Sequence, residues 1–127
     1  MANEIRTSVS IVYENGTLKR QYTPATINAP QATKGVLDQV ISATTAEADV
    51  AVTGLNTAGY TMLQNLESTT TGKTFNWGLK SSTGGIPQYF RLRPKQVAIV
   101  DYGTSAMVIR GKAASGTLQV NVTIFET

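Results

Sequence analysis

The sequence predicts an all-β protein, an antiparallel, jelly-roll-like β-sandwich of eight to ten short strands. Thr, Val and Ile are common whereas Glu and Lys are few, and this composition favours strands over helices. Apolar and polar residues alternate at both ends of the chain. Between the ends, short apolar stretches are separated by Gly, Pro and Thr turns, which is typical of sandwiches and barrels. The 127 residues suit a single domain over 1–127, without an internal repeat or a dividing linker.

The N-terminal 23 residues predict a β-hairpin. Ile5, Val9, Ile11 and Tyr13, together with Thr7, occupy every second position of residues 5–13, and this alternation indicates a half-buried strand. Asn15-Gly16 follows, and this pair tolerates positive φ at both central positions of a tight turn. A return strand is expected over residues 18–22. Pro24 and Pro30 lack a backbone donor, so any strand between Pro24 and Gly35 is expected to be short or at an edge.

The middle of the chain contains one ambiguous segment. Residues 36–43 suit either a strand or one face of a short helix, and Val40-Ile41 together with Thr44-Thr45 favours the strand. Residues 45–48 suit one helical turn, and residues 49–52 are expected to be extended. Further strands are predicted over residues 59–66, 74–79 and 86–92, with a flexible turn at 81–85.

The C-terminal third predicts three more strands after a corner at residues 93–95. Residues 96–102 have the composition of a central strand, and residues 107–109 predict a short strand that stops before Gly111. The last strand follows Gly116. Its alternation places five side chains on one face: Leu118, Val120, Val122, Ile124 and Glu126.

The composition excludes several kinds of chemistry. Without cysteine there is no disulfide or thiolate metal site, and without histidine there is no His-based catalysis or His-lined metal site. The carboxylates Glu47, Asp49, Glu67 and Asp101 lie in different segments. Asp38 and Asp49 are acidic, yet no Asp-rich calcium loop contains them. We therefore expect no enzyme, cofactor or metal site.

Two motifs allow both a structural and a functional interpretation. Residues 81–85 resemble a phosphate-binding loop, but a strand rather than a helix follows, so a hairpin turn is favoured. Trp77 alternates with Phe75 and Leu79, which favours a core role over a ligand platform.

The densest cationic run is Arg91-Leu92-Arg93-Pro94-Lys95, directly after Tyr89 and Phe90. In a strand, Arg91 and Arg93 point to the same side and Leu92 points inward. Such a run suits a solvated face, or a contact with an acidic partner surface. The net charge of +3 is mild, so nucleic-acid binding is not expected.

No export or membrane signal is predicted. Residues 1–7 lack the basic and apolar regions of a secretory signal, and no apolar run approaches the roughly 20 residues that a membrane helix needs. We expect synthesis in a cytoplasm and no membrane partner. The glycosylation sequons at Asn15 and Asn121 are therefore taken as chance matches.

Several motifs together carry a resemblance over most of the chain. They are the alternating N-terminal strand that ends in Asn15-Gly16, residues 59–66 (GYTMLQNL), residues 90–100 (FRLRPKQVAIV) and residues 118–126 (LQVNVTIFE). This layout resembles small β-rich structural proteins of tailed phages and prophages, among them head decoration or cement proteins. The resemblance implies a virion component that forms homo-oligomers, such as trimers, and binds the major capsid protein or another virion protein.

Contacts with these partners are expected at the first hairpin and at the cationic corner: Asn15, Lys19, Tyr89, Phe90, Arg91, Arg93 and Lys95. The alternative is a carbohydrate or cell-surface binding module on a similar sandwich. That alternative predicts that Trp77, Tyr89 or Tyr102 is exposed on a shallow groove, and a buried Trp77 would count against it.

Overall fold

A computed structural model describes residues 5–29, 35–52, 54–55, 58–80, 89–102 and 108–126. These residues contain twelve strands and no helix, and every pairing is antiparallel. The chain divides into two compact units, Met1–Ala32 and Thr33–Thr127. The all-β class is confirmed, and a single domain over 1–127 stays a prediction.

The described residues of the N-terminal unit form a ribbon of two antiparallel chain segments, which we call the arm (residues 5–29). Each segment contains two short strands. The four strands are β1 (Ile5–Thr7), β2 (Ile11–Asn15), β3 (Leu18–Tyr22) and β4 (Ile27–Ala29). β2 pairs with β3 at the turn, and β1 pairs with β4 at the other end. Three residues, 8–10, lie opposite four residues, 23–26, so the register shifts by one residue between the two pairs. Pro24 in the longer stretch has no backbone donor, which explains the break.

The hairpin prediction is confirmed, but its turn differs from the expectation. Asn15 pairs with Leu18, so the two central residues are Gly16 and Thr17 rather than Asn15 and Gly16. Only Gly16, with φ of 57°, has positive φ at the turn. Positive φ at the first central position alone is the type II′ pattern, in which glycine is favoured.

The expected half-burial of the first strand is wrong. Every residue of β2 and β3 is exposed, including Val12 at 67% and Tyr22 at 66%. Ile5 in β1 is buried at 8%. An alternating sequence shows which side chains share a face of a strand, but it does not show whether another surface covers that face.

The described residues of the C-terminal unit form eight strands. They are β5 (Val36–Ala43), β6 (Ala48–Asp49), β7 (Ala58–Asn65), β8 (Phe75–Leu79), β9 (Phe90–Leu92), β10 (Val97–Asp101), β11 (Ile109–Ala113) and β12 (Leu118–Glu126). The first sheet has the order β10-β7-β12-β5, and the second sheet has the order β6-β11-β8-β9. All connections except β8 to β9 pass from one sheet to the other. This is the strand order of a jelly roll, in which two Greek keys build two four-stranded sheets.

The core lies between the two sheets. The first sheet contributes mainly β12, whose Leu118, Val120, Val122 and Ile124 are at most 1% exposed. The second sheet contributes Phe75, Leu92 and Ile109, each 1% exposed, together with Trp77. The predicted inward face of the last strand is therefore confirmed, including Glu126, which is 4% exposed. The backbone N–H of Gly35 donates to the Glu126 carboxylate at 3.1 Å, which compensates part of the cost of its burial.

Other strand predictions differ in detail from the structure. Residues 36–43 form a strand, whereas the helical turn expected at 45–48 is absent because Ala48 already pairs in β6. β11 runs through Gly111 instead of stopping before it. The Phe75 ring lies where a Cβ of residue 111 would be, so glycine permits close packing here rather than ending the strand. The turn predicted at 81–85, with its alternative as a phosphate loop, lies outside the described residues.

Candidate interaction surfaces

The arm carries an unusual amount of exposed apolar surface for its size. Pairing of Ile11 with Tyr22, of Tyr13 with Arg20 and of Asn15 with Leu18 places these side chains on one face of the ribbon. We call this set the arm face (Ile11, Tyr13, Leu18, Arg20 and Tyr22). All five are exposed, and Arg20 is the only charged residue among them. Its guanidinium donates to the Lys19 carbonyl at 3.0 Å.

The opposite face of the ribbon is more polar. Val12 pairs with Gln21, and Glu14 pairs with Lys19. The Lys19 ammonium lies 2.8 Å from the Glu14 carboxylate, and both side chains are more than half exposed. The predicted contact residue Asn15 donates from its amide to the Tyr13 hydroxyl at 3.3 Å. The structure therefore places Asn15 at the turn and Lys19 in a local ion pair.

The predicted cationic corner is divided between two sides of β9. Leu92 is buried at 1%, whereas Arg91 and Arg93 are exposed, as the strand interpretation predicts. With Pro94 and the segment Thr69–Thr74, the two arginines border a shallow depression. Lys95 adopts φ of 64° in the turn, and its ammonium donates to the Leu66 carbonyl at 3.0 Å.

The aromatic residues next to the corner have separate environments. Tyr89 donates its hydroxyl to Glu47, and the Lys112 ammonium lies 4.8 Å from the centre of its ring. The contact with Tyr89 raises the pKa of Lys112. Phe90 contacts Trp77 with the ring centres 5.2 Å apart, and it remains 64% exposed. Phe90 is therefore the large exposed anchor at this end of the second sheet.

An apolar cavity of about 440 Å³ lies within the C-terminal unit. Its lining residues are Trp77, Leu79, Phe90, Val100, Asp101, Tyr102 and Ile109. Among the described residues, none makes a hydrogen bond of normal geometry with the buried Tyr102 hydroxyl. Burial raises the pKa of Tyr102, although the backbone of Ile109 partly offsets this effect. Trp77 and Tyr102 are only 6% and 7% exposed, so neither forms an open sugar-stacking platform.

One cluster of charges was not expected from the sequence. Arg110 in β11 donates to Asp49 at 2.5 Å, and its guanidinium lies 3.9 Å from Glu47. Lys80 also approaches Asp49, at 3.2 Å. The hydrogen bond from Arg110 keeps the pKa of Asp49 below its ordinary value of 3.8. Asp49 therefore stays ionised, and its ion pair with Arg110 helps to hold β6 against β11.

The outward side of the first sheet is a surface that the sequence analysis missed. In β5, Val36, Asp38 and Val40 alternate with inward residues and are exposed. In β10, the other edge strand, Val97, Ile99 and Asp101 do the same. We call this set the acidic sheet face (Val36, Asp38, Val40, Val97, Ile99 and Asp101). The outward positions of the four strands β5, β7, β10 and β12 include no lysine or arginine.

Comparisons with known proteins give little further information. No protein-family model matches the chain, and no curated protein matches it. One solved structure is similar, a chain from the Bacillus endospore appendages, described as "a novel family of disulfide-linked pili". It is 10% identical, the match covers 78% of this chain and 96% of that chain, and the TM-score is 0.32. A likeness this distant carries no information about what the present chain binds.

In the described ranges, no group of three or more acidic side chains comes together in a way that could hold a metal ion. In the same part of the chain, no helix has the length and apolar character that crossing a membrane requires.

Proposed function

We propose that the protein is a structural component of a phage-type virion, a capsid decoration protein that binds the shell and stabilises it through repeated contacts. The observation that carries the proposal is the arm, a β-ribbon whose strands β2 and β3 are exposed on both faces. An isolated two-stranded hairpin is marginally stable in water, because it buries little apolar surface. A ribbon of this kind gains stability when another surface covers it.

The jelly roll suits such a role because its two sheets enclose a buried apolar core. Jelly rolls occur in capsid proteins and in lectins, so the fold alone supports both hypotheses from the sequence. Burial of Trp77 and Tyr102 counts against the carbohydrate-binding alternative, since stacking on a sugar requires an accessible aromatic ring. Tyr89 is exposed, but it is held between Glu47 and Lys112.

The corner offers a second contact surface, one with directed charge. Arg91 and Arg93 extend from the outward side of β9, whereas Phe90, the first residue of the strand, lies on the other side against Trp77 and is itself exposed. Exposed aromatic and arginine side chains are the types that dominate binding energy at protein interfaces. We assign this corner to contact with an acidic surface of the shell, and repetition over many copies supplies avidity.

Particles that lack the protein provide the direct test. Purified protein is mixed with particles from which its gene has been deleted, and the amount that sediments with them is measured from low to high salt. We expect saturable binding that weakens with salt. The variant R91E/R93E should bind poorly, whereas the charge-preserving variant R91K/R93K should retain most of the binding. Absence of co-sedimentation at every salt concentration would overturn the proposal.

A further inference from the structure

The arm face and the acidic sheet face are two surfaces in the described part of the chain that expose large apolar side chains. Four of the five residues of the arm face are large and apolar, and Arg20 supplies its one positive charge. Exposed apolar patches with a charged component usually mark interaction sites in proteins. The arm face therefore requires a partner surface that is apolar and acidic.

The acidic sheet face has this character. Its four aliphatic side chains, Val36, Val40, Val97 and Ile99, are between 39% and 58% exposed. Asp38 and Asp101 lie on the same outward side, and no cation lies at the outward positions of the four strands. The Asp38 carboxylate accepts a hydrogen bond from Thr123 at 2.9 Å, which fixes its position on the sheet.

The other sheet does not offer the same match. The outward positions of this sheet hold three cations, Arg110 and Lys112 in β11 and Arg91 in β9, against one carboxylate, Asp49 in β6, which is paired with Arg110. Arg20 would meet further positive charge on that side, and like charges brought together at an interface oppose association. The charge pattern thus distinguishes one sheet from the other as a partner for the arm.

We propose that the arm face of one copy binds the acidic sheet face of a second copy of this chain. Each chain contains both surfaces, and the residues of both are exposed in the isolated chain, so a second copy supplies what each surface lacks. The inference deepens the proposed function, because it names the partner of the arm face. It rests on that function in one respect: it takes the chain to be a subunit of an assembly.

The dimensions of the two surfaces agree. Five residues of strand extend about 17 Å, which approaches the roughly 19 Å that four strands span, so a ribbon that lies across the strands reaches both edges of the sheet. The contact joins two different surfaces, so it is heterologous and closes into a ring when the rotation between copies permits. A ring of three copies is one such closed form.

Charge reversal gives a sharp test, read by sedimentation velocity over a range of concentrations. We expect the wild type to self-associate and R20E to associate about tenfold more weakly, because an attraction becomes a repulsion. The variant D38K/D101K should show the same loss for the converse reason. An equal mixture of R20E with D38K/D101K should associate again, because each arm face then meets a sheet face of opposite charge.

A matched pair of apolar variants tests the choice of ribbon face. I11T/Y22T changes the arm face, and V12T/Q21T changes the opposite face of the same strands. We expect loss of association for the first variant and little change for the second. Far-UV circular dichroism establishes that each variant is folded before it is compared.

Several outcomes would overturn the inference. A wild type that is monomeric at all concentrations would contradict it, as would association that R20E and D38K/D101K both leave unchanged. A mixture of the two charge variants that stays monomeric would also contradict it. If the protein is monomeric but sediments with particles, the inference fails and the proposed function stands. If it forms oligomers through these two faces but does not bind particles, the inference stands and the proposed function fails.

Discussion

Asn65 at the end of β7 joins the two sheets, and replacing it with alanine should cost more than any surface substitution. Its side chain is fully buried. The amide donates to the Lys73 carbonyl and to the Leu92 carbonyl, each at 3.0 Å, and the side-chain oxygen accepts from the Glu67 N–H at 3.0 Å. Leu92 belongs to β9 of the second sheet, and Lys73 lies just before β8 of the same sheet. The Asn65 side chain, from the first sheet, therefore links both layers.

The magnitude follows from the three bonds. Each intramolecular hydrogen bond contributes about 1 kcal/mol net, and a buried carbonyl left without a donor adds about 1 kcal/mol or more. Asn65→Ala should therefore lower the free energy of unfolding by about 3 to 4 kcal/mol. A large part of the stability of a domain of this size would be lost, because such domains have about 5 to 15 kcal/mol in total.

Urea unfolding measures this loss through the change in the midpoint at constant slope. Gln119→Ala is the matched control, because Gln119 is exposed on the neighbouring strand β12. It should change the free energy of unfolding by at most about 0.5 kcal/mol. A loss below about 1 kcal/mol for Asn65→Ala would refute the idea that this amide holds the sheets together.

Three other predictions test separate parts of the structure. Gly111→Ala should destabilise the fold by about 1 to 3 kcal/mol, because its Cβ would overlap the Phe75 ring, and Phe75→Leu in the same chain should recover part of that loss in urea unfolding. Folding lowers the pKa of Asp49 through Arg110, so this ion pair contributes stability above the unfolded-state pKa and loses it as the pH falls through the lowered value. The stability difference between wild type and Asp49→Asn should accordingly be well below about 1 kcal/mol at neutral pH and should shrink as the pH falls below about 4, and a difference that stays constant on acidification would contradict the pairing. Fluorescence of Trp77, the sole tryptophan, should resist quenching by aqueous iodide, since 6% of the residue is exposed, and strong quenching would reopen the carbohydrate hypothesis.

Much of the fold could be predicted from periodicity alone. The alternation in β12 identified its buried face residue by residue, because a strand buried on one side shows a period of two in its sequence. The ambiguous segment 36–43 is a strand with alternating burial, as Val40-Ile41 favoured. The expected eight to ten strands covered the whole chain, and the described residues form twelve: eight in the sandwich and four short ones in the arm, where the sequence presented two long ones.

The features that escaped prediction depend on distant parts of the chain. Asp38 and Asp101 are 63 positions apart by their numbers, and they share a surface only because β5 and β10 belong to one sheet. Arg110 joins Glu47 and Asp49 because β11 pairs with β6. Strand order is set by packing between sheets, which local sequence patterns do not encode.

The candidate site was predicted in part. The alternation of Arg91 and Arg93 around Leu92 correctly gave an exposed cationic pair, and Trp77 was correctly placed in the core. Exposure of the whole hairpin was missed, because an alternating strand has the same sequence whether its partner surface lies in its own chain or in another molecule. Virion location, shell binding and oligomeric state stay predictions.

Hydrogen exchange of the backbone amides of the arm is the most direct test of the central claim, which is that another molecule covers and stabilises this ribbon. In dilute protein, the amides of β2 and β3 should exchange rapidly, because a ribbon exposed on both faces opens readily, whereas those of β12 in the core should exchange slowly. In the assembled protein, protection should rise strongly in β2 and β3 and remain as before in β12. Equal protection of the arm in the dilute and assembled states would contradict the account.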